Sequence, residues 1–234
     1  MYAGAIHLVG TEAGVGVNLA GDMAASAGDI SIDANGYLSL ARSSATADIR
    51  LQARGIELNG DSFAAGNVRL NATDDIHIAG EQRLAAANDV QLSAQVLENR
   101  GNIESGHDEK GGPNSASTLR INAAELVNQG QITARGALAV AAQTMHNQNG
   151  IVVGSQAVEL QVSELDNRNG QVIGQQALSL SGSHLDNRNG TLASNQALTI
   201  NLGGKLDNSA EGLLFSKSGG LSITADQLDN AGGT

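Results

Sequence analysis

From Leu119 onward the chain is written in short phrases of alternating apolar and polar residues. "LRINA" begins at Leu119, "LAVAA" at Leu138, "VELQV" at Val158, "LSLSG" at Leu178, "LTINL" at Leu198 and "LSITA" at Leu221, with starts 19, 20, 20, 20 and 23 residues apart. In "VELQV", Val158, Leu160 and Val162 alternate with Glu159 and Gln161, the period of two that gives a strand one buried face. Helix is a poor reading. The phrases are interrupted by Gly, Asn and Ser before a sustained 3.6-residue period can develop.

Seven or eight residues after each start comes a turn phrase: "LVNQG", "MHNQN", "LDNRN" twice, "LDNSA" and "LDNAG". Asn is third in every one. With "LENRG" at Leu97, the series reads Asn99, Asn128, Asn147, Asn167, Asn187, Asn208 and Asn230. A short third apolar segment follows each turn, visible as Ile103, Ile132, Val152, Val172, Leu192 and Leu213. The first half keeps the rhythm with weaker lettering, as "ISIDA" and "LSLAR" at Ile30 and Leu38, "IRLQA" and "IELNG" at Ile49 and Ile56, and "VRLNA" and "IHIAG" at Val68 and Ile76. "VQLSA" at Val90 joins it to the Asn series, and "AIHLVGTEAGVGVNLAG" reads as one further unit.

Short strands at a period near twenty predict an all-β solenoid in which each coil pairs with the next about 4.8 Å away. Roughly eleven coils then make one rod on the order of 50 Å long, spanning residues 1–234 as a single shaft segment. An antiparallel sandwich competes, but it has no need of the same residue at the same turn in unit after unit. Two causes would put Asn there. Stacked amides can pair NH₂ to carbonyl oxygen along a ladder, each bond contributing roughly 1 kcal/mol. Asn also tolerates left-handed backbone and closes Asx turns. The sequence leaves both open.

Composition supports a stack. The aliphatic residues carry the apolar mass, with two Tyr, two Phe and no Trp among 234 residues, so layers of similar thickness can sit on one another. Thirty Gly beside 41% hydrophobic residues and a single Pro is not a disordered composition. A net charge of −11 argues against nucleic acid and anionic membrane surfaces as partners. The longest apolar run, Ala137 to Ala142, is too short for membrane insertion. The absence of cysteine excludes disulfides, zinc–thiolate sites and thiol catalysis, and fits either a reduced compartment or export in an unfolded state. The lack of a signal-like segment after Met1 and the close at "LDNAGGT" in mid-turn lead to the expectation of a segment from a much larger protein.

"GTEAGVGVN" lacks the Lys of a phosphate loop, and Leu19 stands where a dinucleotide fingerprint needs Gly, so a turn between two strands is expected. Asp166, Asp186, Asp207 and Asp229 recur at one turn position. They are expected to be solvated and partly neutralised by Arg168 and Arg188 of the next coil, without the nonapeptide spacing of a calcium roll. A polysaccharide-degrading enzyme on this fold needs two carboxylates that break the repeat and usually aromatic rings for sugar stacking. Neither is visible, so no catalytic, metal or cofactor site is assigned. The five histidines fall in unrelated repeats. Asn71 and Asn189 match the weak glycosylation sequon. One segment breaks the rhythm: between Leu97 and Leu126 the spacing widens to 29, and "ESGHDEKGGPNSAS", Glu104 to Ser117, should leave the rod as a loop. If the loop has a partner, His107, Asp108, Glu109 and Lys110 are the candidate contacts.

The "LDNRNG" turns, the "ALSLSG" strands and the opening "IHLVGTEAGVGVNLAGDM" with "ISIDANGYLSL" resemble the filamentous haemagglutinin repeat region of large two-partner-secreted exoproteins, a group of adhesins and contact-dependent growth inhibition effectors. The resemblance covers essentially the whole chain. It implies a right-handed parallel β-helix, secreted to the surface of a Gram-negative bacterium. Export would be unfolded, through an outer-membrane transporter. A stalk of this kind would carry a distal adhesive, receptor-binding or toxic domain toward a host or target cell. Integrin binding is not carried over, because the chain has "NGD" at Asn59–Asp61 and no "RGD". The alternative functions are a binding module using the shaft face or the 104–117 loop against a carbohydrate or surface protein and, remotely, a polysaccharide-degrading enzyme.

Overall fold

The alternation predicted from sequence is realised as a parallel β-solenoid in the computed structural model, which describes all residues except Ala13 and 108–111. Among the described residues there is no helix, and every pairing between strands is parallel. One sheet has eleven strands, one from each coil. The other has eighteen, because two rows of strands lie side by side and fuse in the middle of the rod into the continuous strands Val90–Asn99, Thr118–Asn128, Ala137–His146 and Val158–Asp166. Each coil thus has a first face, typified by Leu178–Gly182, a second, typified by His184–Asp186, and a third, typified by Thr191–Ser194.

In-register stacking makes each inward position a column. On the first face one column runs Ile6, Ile30, Ile49, Val68, Val90, Leu119, Leu138, Val158, Leu178, Leu198 and Leu221. The residues from Ile30 to Leu198 in it are buried almost completely. Each contributes roughly 1.5–3 kcal/mol through removal from water. No aromatic ring enters this core among the described residues. A layer only about 4.8 Å thick has room for branched aliphatics but would be forced apart by a ring lying across it.

The third face carries a second, narrower column: Ala25, Ala45, Ala64, Ala86, Ser105, Ala134, Gly154, Gly174, Ser194 and Ser216. It lies where the chain bends toward the first face. A Cβ on Gly174 would stand 2.5 Å from the Ala177 carbonyl oxygen, so the corner admits only the smallest residues.

Of the apolar residues that mark the third segment, Ile103, Ile132, Val152, Val172 and Leu192 are buried, and in the last coil the buried position is one residue later. Leu214, not Leu213, is buried and pairs with Leu192. The turn from Asn208 to Gly212 has one more residue than that from Asn187 to Gly190, and it absorbs the extra unit by placing both Ala210 and Glu211 in the left-handed region, with φ of 51° and 67°. The segment around Gly14 lies between the strands Ile6–Gly10 and Val17–Leu19, as a turn should.

Candidate functional site

The recurrent feature of the surface is the turn that leaves the second face, and "LDNRNG" can be explained letter by letter at residues 165–170. Leu165 points inward and is buried. Asp166 points outward, and its Oδ1 accepts the backbone N–H of Arg168 at 3.2 Å, closing an Asx turn. Asn167 turns inward and is fully buried. Arg168 reaches back to Asp166, Nε to Oδ1 at 2.9 Å and Nη2 to Oδ2 at 2.6 Å. Asn169 takes the left-handed conformation at φ 57°. Gly170 passes so near the coil before it that a Cβ would lie 2.0 Å from the Asn147 carbonyl oxygen.

The two roles open to Asn in the sequence are therefore divided between two residues. The third residue of each phrase stacks: Nδ2 of Asn99 donates to Oδ1 of Asn128 at 2.8 Å, and the bond repeats from Asn128 to Asn147, Asn147 to Asn167, Asn167 to Asn187, Asn187 to Asn208 and Asn208 to Asn230 at 2.7–2.8 Å. Asn230 is exposed, whereas the other six are buried. The left-handed position belongs to Asn149, Asn169 and Asn189, two residues later. The pattern of Asn followed two places on by Asn-Gly was the signal for this second role. Toward the amino terminus the same column continues as Ile78, Leu58, Leu40 and Leu19, so the amide ladder replaces an aliphatic one at Asn99.

The aspartates Asp166, Asp186, Asp207 and Asp229 stack as a column on the outside of these turns. Their main cationic partners are within their own turns, which corrects the expectation of neutralisation by the next coil. Arg188 binds Asp186 at 2.6 Å, and Lys205 binds Asp207 at 2.9 Å. Only Arg168 also approaches the following coil, 3.6 Å from Asp186. Burial pushes the Asp166 carboxyl upward, but the hydrogen bonds from Arg168 outweigh it and leave the group below the ordinary range. For Asp207 the Ser209 hydroxyl comes first, burial opposes it, and Lys205 assists, with a result of about 2. No group of acids and histidines among the described residues has the geometry of a metal site.

The ten extra residues between Leu119 and its partner Val90, compared with Leu138 and Leu119, fall between the strands Asn102–Ser105 and Thr118–Asn128, so Glu104 and Ser105, placed in the loop from sequence, belong to the third-face strand. Gly106 makes the exit with φ 80°. His107 lies between Glu104, with Nδ1 3.3 Å from Oε2, and Arg135, whose Nη2 is 2.8 Å from Nε2. Glu104 in turn receives Arg83 at 2.7 Å. Asn114 anchors the return by donating to Asn88 Oδ1 at 2.9 Å. Of the four loop residues proposed for partner contact, Asp108, Glu109 and Lys110 lie outside the described residues.

The other histidines do not converge. His77 contacts Glu98 at 3.0 Å on the second face, and His146 contacts Glu125 at 3.7 Å three coils further on. His184 stands on the same face in the column of Glu164, while His7 is on the first face near the amino terminus.

The haemagglutinin-repeat profile matches residues 1–41, 25–80, 78–111, 115–169, 157–210 and 212–234. Among curated proteins, the chain is 46% identical over 76 residues to a tRNA nuclease CdiA of Escherichia coli strain NC101, covering 32% of this chain and 2% of the relative. It is 32% identical over 141 residues to a tRNA nuclease CdiA of Yersinia mollaretii, covering 60% and 5%. A 16S rRNA endonuclease CdiA of Enterobacter cloacae is 31% identical over 166 residues, covering 70% and 5%. The chain therefore spans only 2–5% of the length of these relatives. No solved structure gives a significant match.

Proposed function

We infer, for a chain that belongs to the haemagglutinin-repeat family, that these residues are a length of shaft in a secreted adhesin or contact-dependent growth inhibition protein. The shaft holds a distal adhesive, receptor-binding or toxic domain away from a Gram-negative cell. The observation that carries this reading is the unbroken register of eleven coils, in which each buried turn amide from Asn99 to Asn208 is bonded to the next coil. The nuclease names of the relatives would then refer to a part of the parent protein beyond the shaft. Folding by addition of one coil to the last suits a chain emerging unfolded from an outer-membrane transporter, since each new coil needs only its predecessor as template.

Removing residues 158–197, two coils that stack in register between Leu138 and Leu198, tests this. The purified rod should shorten by about 10 Å in small-angle scattering with its cross-section unchanged, and cells displaying the parent protein should still export and present it. Loss of target-cell recognition while export and folding persist would overturn the shaft reading and assign recognition to this segment.

A second reading is favoured by one observation: between Ser105 and Thr118 the chain carries ten residues more than a regular coil needs, and the described residues at the two ends of that segment, His107 and Asn114, are hydrogen-bonded to the stack. A carbohydrate or a target-cell surface protein would be its partner.

A further inference from the structure

Where the chain enters the first face, a polar side chain stands two residues before each of three outward cations: Asp48 before Arg50, Asn67 before Arg69, and Thr118 before Arg120. These corner residues bond along the rod. Oδ1 of Asp48 accepts the backbone N–H of Asn67 at 2.8 Å, and Oδ1 of Asp89 accepts that of Thr118 at 2.7 Å. Arg50 is neutralised at its corner by Asp29 and Asp48. Arg69 and Arg120 are not, because their own coils offer Asn67 and Thr118 in place of a carboxylate. Among the described residues neither guanidinium has an ion pair or a hydrogen bond, although acids outnumber bases 24 to 13 along the chain.

Register turns these residues into an array. Arg50, Arg69, Gln91 and Arg120 form one outward column, and all four are exposed. Gln52, Asn71, Ser93 and Asn122 form the next, two residues further along each strand. The first column borders a cleft of about 290 Å³. A second cleft of about that size runs from Gln91 and Arg120 to Ser93 and Asn122.

We propose that this face binds an acidic polysaccharide, with its carboxylates on Arg69 and Arg120 and its hydroxyls on the neighbouring amides. The proposal deepens the binding reading by moving the contact from the loop to the shaft face, and it rests on a carbohydrate being the partner. Charge complementarity selects the class, since a guanidinium holds a carboxylate through two parallel hydrogen bonds. The rest of a rod with net charge −11 repels a polyanion and so confines it to this face. Spacing then separates sugar from peptide. A sugar ring is nearly as long as one coil is thick, so two rings span the roughly 10 Å from Arg69 to Arg120. An extended peptide lying along the rod repeats its side chains on one face every ~6.7 Å, out of step with coils ~4.8 Å apart. Nor can it add as a strand, because Val68–Ala72 and Thr118–Asn128 are already paired on both sides. The amides complete the match, each offering a donor and an acceptor to sugar hydroxyls.

Titration calorimetry of the full chain with oligogalacturonate tests this, beside its methyl ester and an oligoglutamate of matched length. The acidic sugar should bind, and Arg69→Gln and Arg120→Gln should each weaken it by at least about fivefold. Arg42→Gln, which removes an exposed cation from outside the array, should change the affinity by less than about twofold. All three side chains are exposed, so melting should not move. Gln91→Glu puts a carboxylate between the two guanidiniums while keeping both, and should abolish binding in a rod of unchanged fold. Failure of oligogalacturonate to bind, or equal effects of Arg42→Gln and Arg69→Gln, would overturn the assignment of this face. A methyl ester that binds as tightly as the acid would sink the acidic class while leaving a carbohydrate partner in place. An oligoglutamate that binds as tightly would replace the sugar with an acidic peptide.

Discussion

Nδ2 of Asn147 lies 2.7 Å from Oδ1 of Asn167, one coil further along, and both side chains are shut off from solvent. Asn167 passes the same bond to Asn187 at 2.8 Å. Removing an interior amide therefore severs two ladder bonds and strands a buried group on each side. Asn167→Ala should destabilise the rod by about 2 kcal/mol, and Asn167→Leu should be no better, despite its greater apolar area. Asn99→Leu should cost distinctly less, because its neighbour toward the amino terminus is already Ile78 and only one ladder bond is lost. Asn230→Ala, at an exposed position, should stay within about 0.5 kcal/mol. Denaturant midpoints of the four variants check the order.

Gly170 and Asn169 are adjacent in sequence but are constrained by different physics. Gly170 is held by space, and a methyl group there meets the Asn147 carbonyl oxygen. Gly170→Ala should cost about 1–3 kcal/mol through overpacking. Asn169 is held by its φ of 57°. Asn169→Gly should therefore be close to neutral, whereas Asn169→Val should lose roughly 1–2 kcal/mol. Equal tolerance of Ala at 170 and Gly at 169 would contradict the assignment of the two positions.

Acid should weaken the carboxyl-terminal turns first. The Asp207 carboxyl is depressed to about 2 from its ordinary value of 3.8, and Asp166 is also lowered. A carboxylate more acidic in the folded state stabilises it above the unfolded value, and that contribution disappears as the pH falls through the folded one. Melting temperature should thus be insensitive to pH above about 5 and decline between about 4 and 2. Asp207→Asn, which keeps the oxygen that receives Ser209, should flatten part of that decline. A decline centred near neutrality would instead implicate histidine.

The period and parallel stacking were legible because they depend on alternation and spacing, which the letters carry directly. What stayed hidden depends on where the chain bends between strands. Leu213 and Leu214 are both apolar, and only the second left-handed residue in the Ala210–Glu211 turn decides which faces inward. Arg168 could reach toward either coil, and Asp166 holds it because the Asx turn brings that carboxylate closer than Asp186. The aliphatic start of the amide column was concealed for a similar reason: Ile78 occupies the position of Asn99 without sharing its chemistry.

The loop can be excised in register. Ten residues separate the long coil from the regular one that follows, so deleting 107–116 joins Gly106 to Ser117 and leaves a coil of the same length as that from Leu119 to Leu138. The deletion loses the Asn114–Asn88 and His107–Arg135 contacts at the root, which are partly exposed side-chain bonds of about 1 kcal/mol each. It also relieves the chain of ordering a long excursion. These effects oppose one another, and the denaturation midpoint should shift by less than about 1 kcal/mol equivalent. Binding of the intact parent to target cells then separates the two functional readings: it should persist if the segment acts as shaft alone and disappear if the loop is the contact. A deletion that unfolds the rod would instead show that the loop root bears on the stack itself, and Asn114→Ala, which removes the side-chain bonds to Ala87, Asn88 and Ala116 while keeping the chain length, would locate that dependence.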